Sequence, residues 1–371
     1  MNEENRRGGR APSDAGGGRQ YVKFSFFKLD SAFRRLSENE QRDAQLEFIS
    51  TIRQFNRRML LRSYSLIGLR GDVDFLLWQV ASTAEPIQEL TTALFGTALG
   101  AHLTMPHSYL AVTRRSIYDV GGMTGGESAE ERIVIEPGEH AYLFVYPFVK
   151  TRSWYALPFE KRQEMMNEHI RIGRKYPQIR LNTTYSFGID DQEFVVAFEG
   201  DHPVDFVDLV MELRESEASL YTLRDTPTFT CRNLPLPEVL DSLGGAPVSA
   251  DAGMDEGDAE GWLDVMSVGD LPEGTSARVY YAGQQIALFR VGGEIHALGN
   301  RCSHARGPLS DGEIDAAGCS VTCPWHYAKF DLRTGRAIDG VATQSVPTFD
   351  VEVRCGTIRV REKRVGRAGV R

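Results

Sequence analysis

The sequence predicts an α+β protein in which two copies of one β-α-β-β-α-β unit are followed by a small all-β domain. Three observations predict it. The pattern of aromatic strands and amphipathic helices that starts at Tyr21 starts again at Tyr142. Tyr64 likewise matches Tyr185, so one offset of 121 residues relates the copies. From Trp262 onward, short apolar runs alternate with glycine turns at Gly283, Gly292-Gly293, Gly312, Gly335 and Gly356, the punctuation of short strands. Between these regions, residues 244–261 are rich in Gly, Ala, Asp and Glu with almost no bulky side chain, which reads as a linker.

The elements follow in order. Residues 1–19 are polar and glycine-rich, lack the apolar core of a signal peptide, and read as a disordered leader. The first copy, 20–120, holds an aromatic strand at 21–28, a helix at 45–58 and a strand at 64–69. An acidic turn with Asp72 and Asp74 leads to a strand at 75–80, a helix at 84–96 and a strand at 108–112. A glycine-rich join at 121–126 leads to the second copy, 137–235. Its strand begins at Tyr142, its helix covers 159–175, and a hairpin at 185–191 runs into a strand at 193–196. A helix at 204–213 and a strand at 228–231 close it. Each copy reads as a ferredoxin-like unit, and two side by side predict an α+β barrel over 20–240. The linker is placed at 241–260, the all-β domain at 261–362 and a basic, solvated tail at 363–371.

Length and composition narrow the function classes. At 371 residues there is room for two or three domains with real cores, and 42% hydrophobic with 25% charged residues is an ordinary globular balance. A net charge of −9 argues against nucleic acid as the main partner. Five cysteines offer no disulfide framework, which suits a reducing cytoplasm. No run of eighteen apolar residues exists, so no membrane span is expected.

The all-β domain carries the sharpest motif. Cys302-Ser303-His304 is followed, after eighteen intervening residues, by Cys323-Pro324-Trp325-His326. Two Cys/His pairs on two loops supply two thiolates for one iron and two imidazoles for the other, the ligand set of a Rieske [2Fe–2S] cluster. A zinc finger would keep its cysteines together and its histidines together; here they interleave. The stretches 302–312 and 323–331, with Thr334-Gly335 after them, resemble Rieske ferredoxins in detail. The respiratory Rieske type carries an extra cysteine in each loop. Here the first loop has Ala305, Arg306 and Gly307 and the second Tyr327 and Ala328, so the resemblance is to the ferredoxin type, an electron carrier. Cys319 falls outside the ligand set and reads as a small core residue.

In the front half, one residue is out of place. Met165, Met166, His169, Ile172 and Gly173 form one helix stripe, and His169 lies in the middle of it. An offset of 121 puts Phe48 at the matching place in the first copy. Two readings stand: a hydrogen-bonded core histidine, or an axial ligand to haem iron. The neighbouring strand bears on the choice. Alternation puts Tyr142, Phe144, Tyr146, Phe148 and Lys150 on one face, which suits a flat tetrapyrrole with carboxylate arms; a core strand ending in an exposed lysine is the plainer reading.

Residues 20–240 resemble the chlorite dismutase superfamily and, within it, the coproheme decarboxylases of bacterial haem synthesis. The resemblance rests on Tyr-Pro-Phe-Val-Lys at 146–150, Trp-Tyr-Ala-Leu-Pro at 154–158, Glu168-His169 with Ile172-Gly173-Arg174-Lys175-Tyr176, Gly-Ile-Asp-Asp at 188–191, and Glu212-Leu213-Arg214 with Glu217-Ala218-Ser219. It implies that His169 is the proximal haem ligand and Tyr146 the radical-forming residue beside a reacting propionate. Lys150, Arg214 and Ser219 would hold propionates, with Trp154 beside them; Tyr118 matches a further propionate contact across gaps. Chlorite dismutases need a distal arginine seven residues before the turn glycine. Here that position is Leu181, with Arg180 beside it facing the other way on a strand. The tyrosine is kept and the arginine lost, which points to a decarboxylase, and Leu181 becomes the distal residue.

The implied reaction converts iron coproporphyrin III to haem b by two oxidative decarboxylations, with hydrogen peroxide or dioxygen as oxidant and the fused Rieske cluster for electron transfer. A ferredoxin or reductase would feed the cluster, and the assembly would be a homo-oligomer, a pentamer by resemblance. Two alternatives stay open: a haem peroxidase or oxyanion-converting enzyme fed by the cluster, and a non-catalytic electron-transfer or haem-carrier protein. His102 and His107 form a His-x4-His pair of the kind that binds catalytic iron in Rieske oxygenases. Those enzymes place the Rieske domain first and an acidic residue before the first histidine, where this chain has Ala101.

Overall fold

A computed structural model describes residues 19–56, 58–114, 116–118, 135, 137–249, 262–281, 284–354 and 356–363. The leader to residue 18, the glycine-rich join at 121–126, the linker from 250 and the tail from 364 lie outside the described residues. The first copy runs β1 (Tyr21–Leu29), α1 (Glu38–Phe55), β2 (Met59–Ser65), β3 (Phe75–Ala81), α2 (Glu85–Phe95) and β4 (Leu103–Val112). The second runs β5 (Tyr142–Lys150), a short α3 (Arg152–Ala156), α4 (Phe159–Gly173), β6 (Arg180–Tyr185), β7 (Phe194–Gly200), α5 (Pro203–Glu215), β8 (Thr222–Arg224) and β9 (Phe229–Asn233). β1 and β5, α1 and α4, and β2 and β6 each begin 121 residues apart. Helix α1 starts well before the predicted residue 45. Ser37 and Glu40 form a capping box there, each side chain accepting the other's backbone N–H.

The strands run β7-β6-β4-β1-β3-β2-β9-β5, and a β5–β7 pairing closes the ring, with β8 added on β5. The copies meet where Val112 pairs with Tyr185 and Tyr64 with Asn233. Alternation along each strand then divides the apolar residues. Phe24, Phe26, Trp78, Leu143, Val145 and Phe229 fill the barrel and are fully buried. Phe27, Phe75 and Leu77 face outward under α1 and α2, while Phe144 and Phe198 face outward under α4 and α5.

An unpredicted helix, α6 (Leu236–Ser242), lays Leu236, Val239 and Leu240 onto the first copy's outer face. The chain beyond it corrects the predicted linker: Leu243, Ala246 and Val248 are buried, so the first domain continues past 240. Few bulky residues suffice here because polar contacts pin the backbone. Asp241 accepts from the Val248 N–H (2.6 Å) and Gln41 from the Ala246 N–H (2.8 Å). Gly244 ends the helix at φ +76°, a left-handed turn that glycine adopts without strain. Among the described residues the second copy has no counterpart to α6, and its outer face keeps an open cleft.

The C-terminal region is all β. β10 (Leu263–Ser267), β11 (Ser276–Tyr281), β12 (Gln284–Val291), β13 (Glu294–Gly299), β18 (Thr348–Arg354) and β19 (Thr357–Glu362) form one antiparallel sheet. A second sheet of β14 (Glu313–Asp315), β15 (Ser320–Thr322), β16 (Lys329–Asp331) and β17 (Ala337–Asp339) is inserted between β13 and β18.

Candidate functional site

The cleft of the second copy lies between the outward face of β5 and helices α4 and α5. It holds ≈ 600 Å³ of empty space, open solvent included. Tyr146, Phe148, Lys150, His169, Arg214 and Ser219 line it together, residues drawn from four separate elements. The alternation read from the strand is the reason Tyr146, Phe148 and Lys150 arrive on one face; Leu143 and Val145 point into the barrel instead.

Lys150 departs from the exposed strand-end lysine of the plainer reading: it is 9% exposed. Its Nζ donates to the Ala218 carbonyl (2.8 Å) and sits 4.4 Å from the Trp154 ring centre. Burial lowers its pKa to about 8, opposed in part by the Glu193 carboxylate. Glu193 is itself buried and accepts from the Lys150 backbone N–H (2.8 Å) and the Tyr155 hydroxyl (2.6 Å).

His169 is half-buried in α4, and desolvation by its packing neighbours, together with the Lys150 charge, lowers its pKa to about 4. A neutral imidazole facing the cleft has the lone pair that haem iron requires. The Tyr146 phenol is pushed up by burial and by the charge of Asp225, with Arg214 opposing. It therefore stays protonated and keeps its O–H hydrogen at neutral pH.

The other anchors are engaged with the chain itself. Arg214 forms an ion pair with Asp225, and the Ser219 hydroxyl donates to the Arg214 carbonyl (2.7 Å). Trp154 is buried beneath Lys150 and is not among the cleft-lining residues. Tyr118 stacks on Phe159 (6.0 Å, 8°) beside Trp154 and also lies outside the lining. Leu181 pairs with Phe198 and so shares the sheet face of Phe144 and Tyr146, half-exposed and two strands from Tyr146. Arg180 turns away, 4.0 Å from Glu199. Sequence reasoning missed Asp225 and Glu193; both lie in loops whose proximity to the cleft has no local signature.

In the all-β region, the two predicted cluster loops have one geometry. The Cys302 N–H donates to Gly307 O and the Arg306 N–H to Cys302 O; the Cys323 N–H donates to Ala328 O and the Tyr327 N–H to Cys323 O. Arg306 (φ 58°) and Tyr327 (φ 59°) occupy the same left-handed position in each loop. The loops set the His304 and His326 rings at 89°, with centroids 4.9 Å apart. Cys302 and Cys323 are buried and within hydrogen-bond reach of each other. The Cys323 thiol and the N–H groups of His304 and Ala305 pull Cys302 down to about 6, while the same coupling pushes Cys323 up. Gly307 completes the fit: a Cβ there would lie 2.8 Å from Cys323 Sγ and 3.0 Å from the Trp325 ring.

No three His, Cys, Asp or Glu side chains converge on a single ion among the described residues. A two-iron cluster does not need this, since each iron takes two protein ligands. The donor set therefore fits a [2Fe–2S] group. Cys319 stays outside it, buried and 3.5 Å from His296 Nε2. The His-x4-His pair does not converge: His102 packs edge-on against Phe33, and His107 pairs with Asp72 (2.9 Å).

Comparison with known proteins places both halves. The chlorite dismutase family model matches residues 41–234, just over half of the chain. The chain belongs to the chlorite dismutase family. A second model, the Rieske [2Fe-2S] domain, matches residues 261–350 and implies the cluster for which the two loops are shaped. A coproheme decarboxylase from Mycolicibacterium smegmatis is 32% identical over 213 residues, 57% of this chain and 88% of that protein. Among solved structures, a mutant chlorite dismutase from Candidatus Nitrospira defluvii is 28% identical with a TM-score of 0.55, covering 60% of this chain and 94% of that one. A heme-binding protein from Thermus thermophilus, 22% identical with a TM-score of 0.54, shares the fold; 60% of this chain and 94% of that one are covered. This family member thus joins an α+β barrel to a Rieske domain. Among its described residues no helix is long and apolar enough to cross a membrane.

Proposed function

We propose that the protein makes haem b by oxidative decarboxylation of two propionates of iron coproporphyrin III, with hydrogen peroxide or dioxygen taking up the electrons released and the Rieske cluster supplying the further electrons that dioxygen needs. The observation that carries this reading is the meeting of Tyr146, Lys150 and His169 in one cleft, with Leu181 where a chlorite-converting relative needs arginine. The likeness to a coproheme decarboxylase supports it.

His169 would hold the iron, and the bound iron supplies oxidising power when an oxidant is present. Each propionate that becomes a vinyl group gives up CO2, one proton and two electrons. Tyr146, once that oxidising power has removed one electron and the proton of its O–H, would take a hydrogen from the propionate β-carbon and so regain its O–H. Lys150, Arg214 and Ser219 would anchor carboxylates through charge-assisted hydrogen bonds, with Trp154 supporting Lys150. The free thiols of the described cysteines are in keeping with a reducing cytoplasm, and the assembly would be a homo-oligomer.

Incubation with iron coproporphyrin III and peroxide tests the reading by product mass. Two successive losses on the way to haem b are expected. A stable complex without mass change would favour a carrier, and turnover of chlorite instead would favour an oxyanion-converting enzyme.

A further inference from the structure

Asp225 is the only acidic residue lining the cleft among the described residues, and it faces into a site built to receive carboxylates. Its side chain is 20% exposed and is ion-paired with Arg214, whose own side chain is 59% exposed. The other anchors rest on weaker holders. Lys150 donates to the Ala218 carbonyl and Ser219 to the Arg214 carbonyl, both neutral backbone acceptors. A charged acceptor holds a guanidinium more strongly than a neutral one does.

We propose that Asp225 is a specificity-determining residue: it occupies Arg214 in competition with a porphyrin carboxylate and so lowers the cleft's preference for carboxylate-rich porphyrins. The proposal rests on the reading of the cleft as a porphyrin site. A substrate carboxylate must displace Asp225 before Arg214 can pair with it. Once that carboxylate has become a vinyl group, Asp225 takes Arg214 back, and no guanidinium is left facing an apolar group without a partner. Without Asp225, the substrate would gain Arg214 outright and the product would leave it unpaired. The pair thus narrows the affinity gap between a substrate with four carboxylates and a product with two, which favours turnover over retention of the substrate.

The test is equilibrium titration of full-length wild type, Asp225→Asn, Arg214→Gln and the double variant with iron coproporphyrin III and with haem b. Binding is followed by porphyrin absorption, without oxidant. Asp225→Asn is expected to tighten coproporphyrin binding roughly fivefold, the scale of one partly exposed ion pair, and to leave haem b within about twofold. In the Arg214→Gln background the effect of Asp225→Asn should fall to less than half, because the competition runs through Arg214. Haem b binding doubles as the folding control. Weaker coproporphyrin binding by Asp225→Asn, equal tightening for both porphyrins, or an undiminished effect without Arg214 would each overturn the proposal. So would a wild-type protein that binds neither porphyrin, which also sinks the porphyrin reading. Wild-type binding with the expected ratio change, but no loss of mass when peroxide is then added to the wild-type complex, would support the role of Asp225 while overturning only the decarboxylase reading.

Discussion

The Lys150 ammonium lies 4.4 Å from the centre of the Trp154 ring, and Trp154 is 2% exposed. The ring's negative face attracts the cation and, with the Ala218 carbonyl, offsets part of the cost of burying it. The offset is incomplete, since burial still lowers the Lys150 pKa to about 8.

A pH dependence follows from that lowered value. For a lysine whose folded pKa is depressed, stability is fully present above the unfolded value and is lost as pH falls through the folded one. Here that window runs from about 10.5 down to about 8. At pH 7 the charged form therefore weighs against the ligand-free fold. Lys150→Met should raise the thermal midpoint of ligand-free protein at pH 7 by about 2–4 °C while weakening iron coproporphyrin binding. Wild-type affinity for that porphyrin should fall between pH 7 and pH 9.5 as Lys150 loses its proton. A flat binding profile across that range would remove Lys150 from the anchor set.

His169→Ala should abolish the proximal-imidazole signature of bound haem iron and leave the absorption and electron-spin signals of the cluster unchanged, because the two ligand sets are on separate domains. An unaltered imidazole signature in the variant would transfer the ligand role to another residue.

Tyr146→Phe retains the ring that packs at 6.2 Å from Phe198 and loses only the oxidisable O–H. Porphyrin affinity should stay within about twofold of wild type, while the first loss of CO2 fails. Normal haem b formation by this variant would sink the radical role.

Gly307→Ala forces a methyl group against Cys323 Sγ and the Trp325 ring. The overpacking should cost about 1–3 kcal/mol in the cluster loops and lower the iron and sulfide content, with porphyrin binding in the barrel intact. Full cluster occupancy in the alanine variant would show that the loops have more room than their geometry indicates.

If the cluster delivers single electrons to the porphyrin iron, dioxygen with a reductant should replace added peroxide in the wild type. His304→Ala and Cys323→Ser, which remove cluster ligands, should then need peroxide. Equal rates of oxygen-driven haem formation with and without the cluster would end that role.

Much of this was legible in the chain because it is local or periodic. The cluster ligands sit on two loops whose six-residue geometry is set by near-neighbour hydrogen bonds, from Cys302 to Gly307 and from Cys323 to Ala328. Strand alternation alone brings Tyr146 and Lys150 to one face, and the 121-residue offset alone pairs His169 with Phe48. The tertiary structure decided which copy is open. Phe48 is fully buried in a cluster that α6, almost two hundred residues later, joins on the first copy's outer face, while among the described residues no such helix fills the cleft that His169 faces. It also buried Lys150, folded Leu243, Ala246 and Val248 into the core where a linker was predicted, and set Asp225 against Arg214. Each of these depends on contacts between segments far apart in sequence, formed only when the barrel closes, so no window of the chain carries their signal.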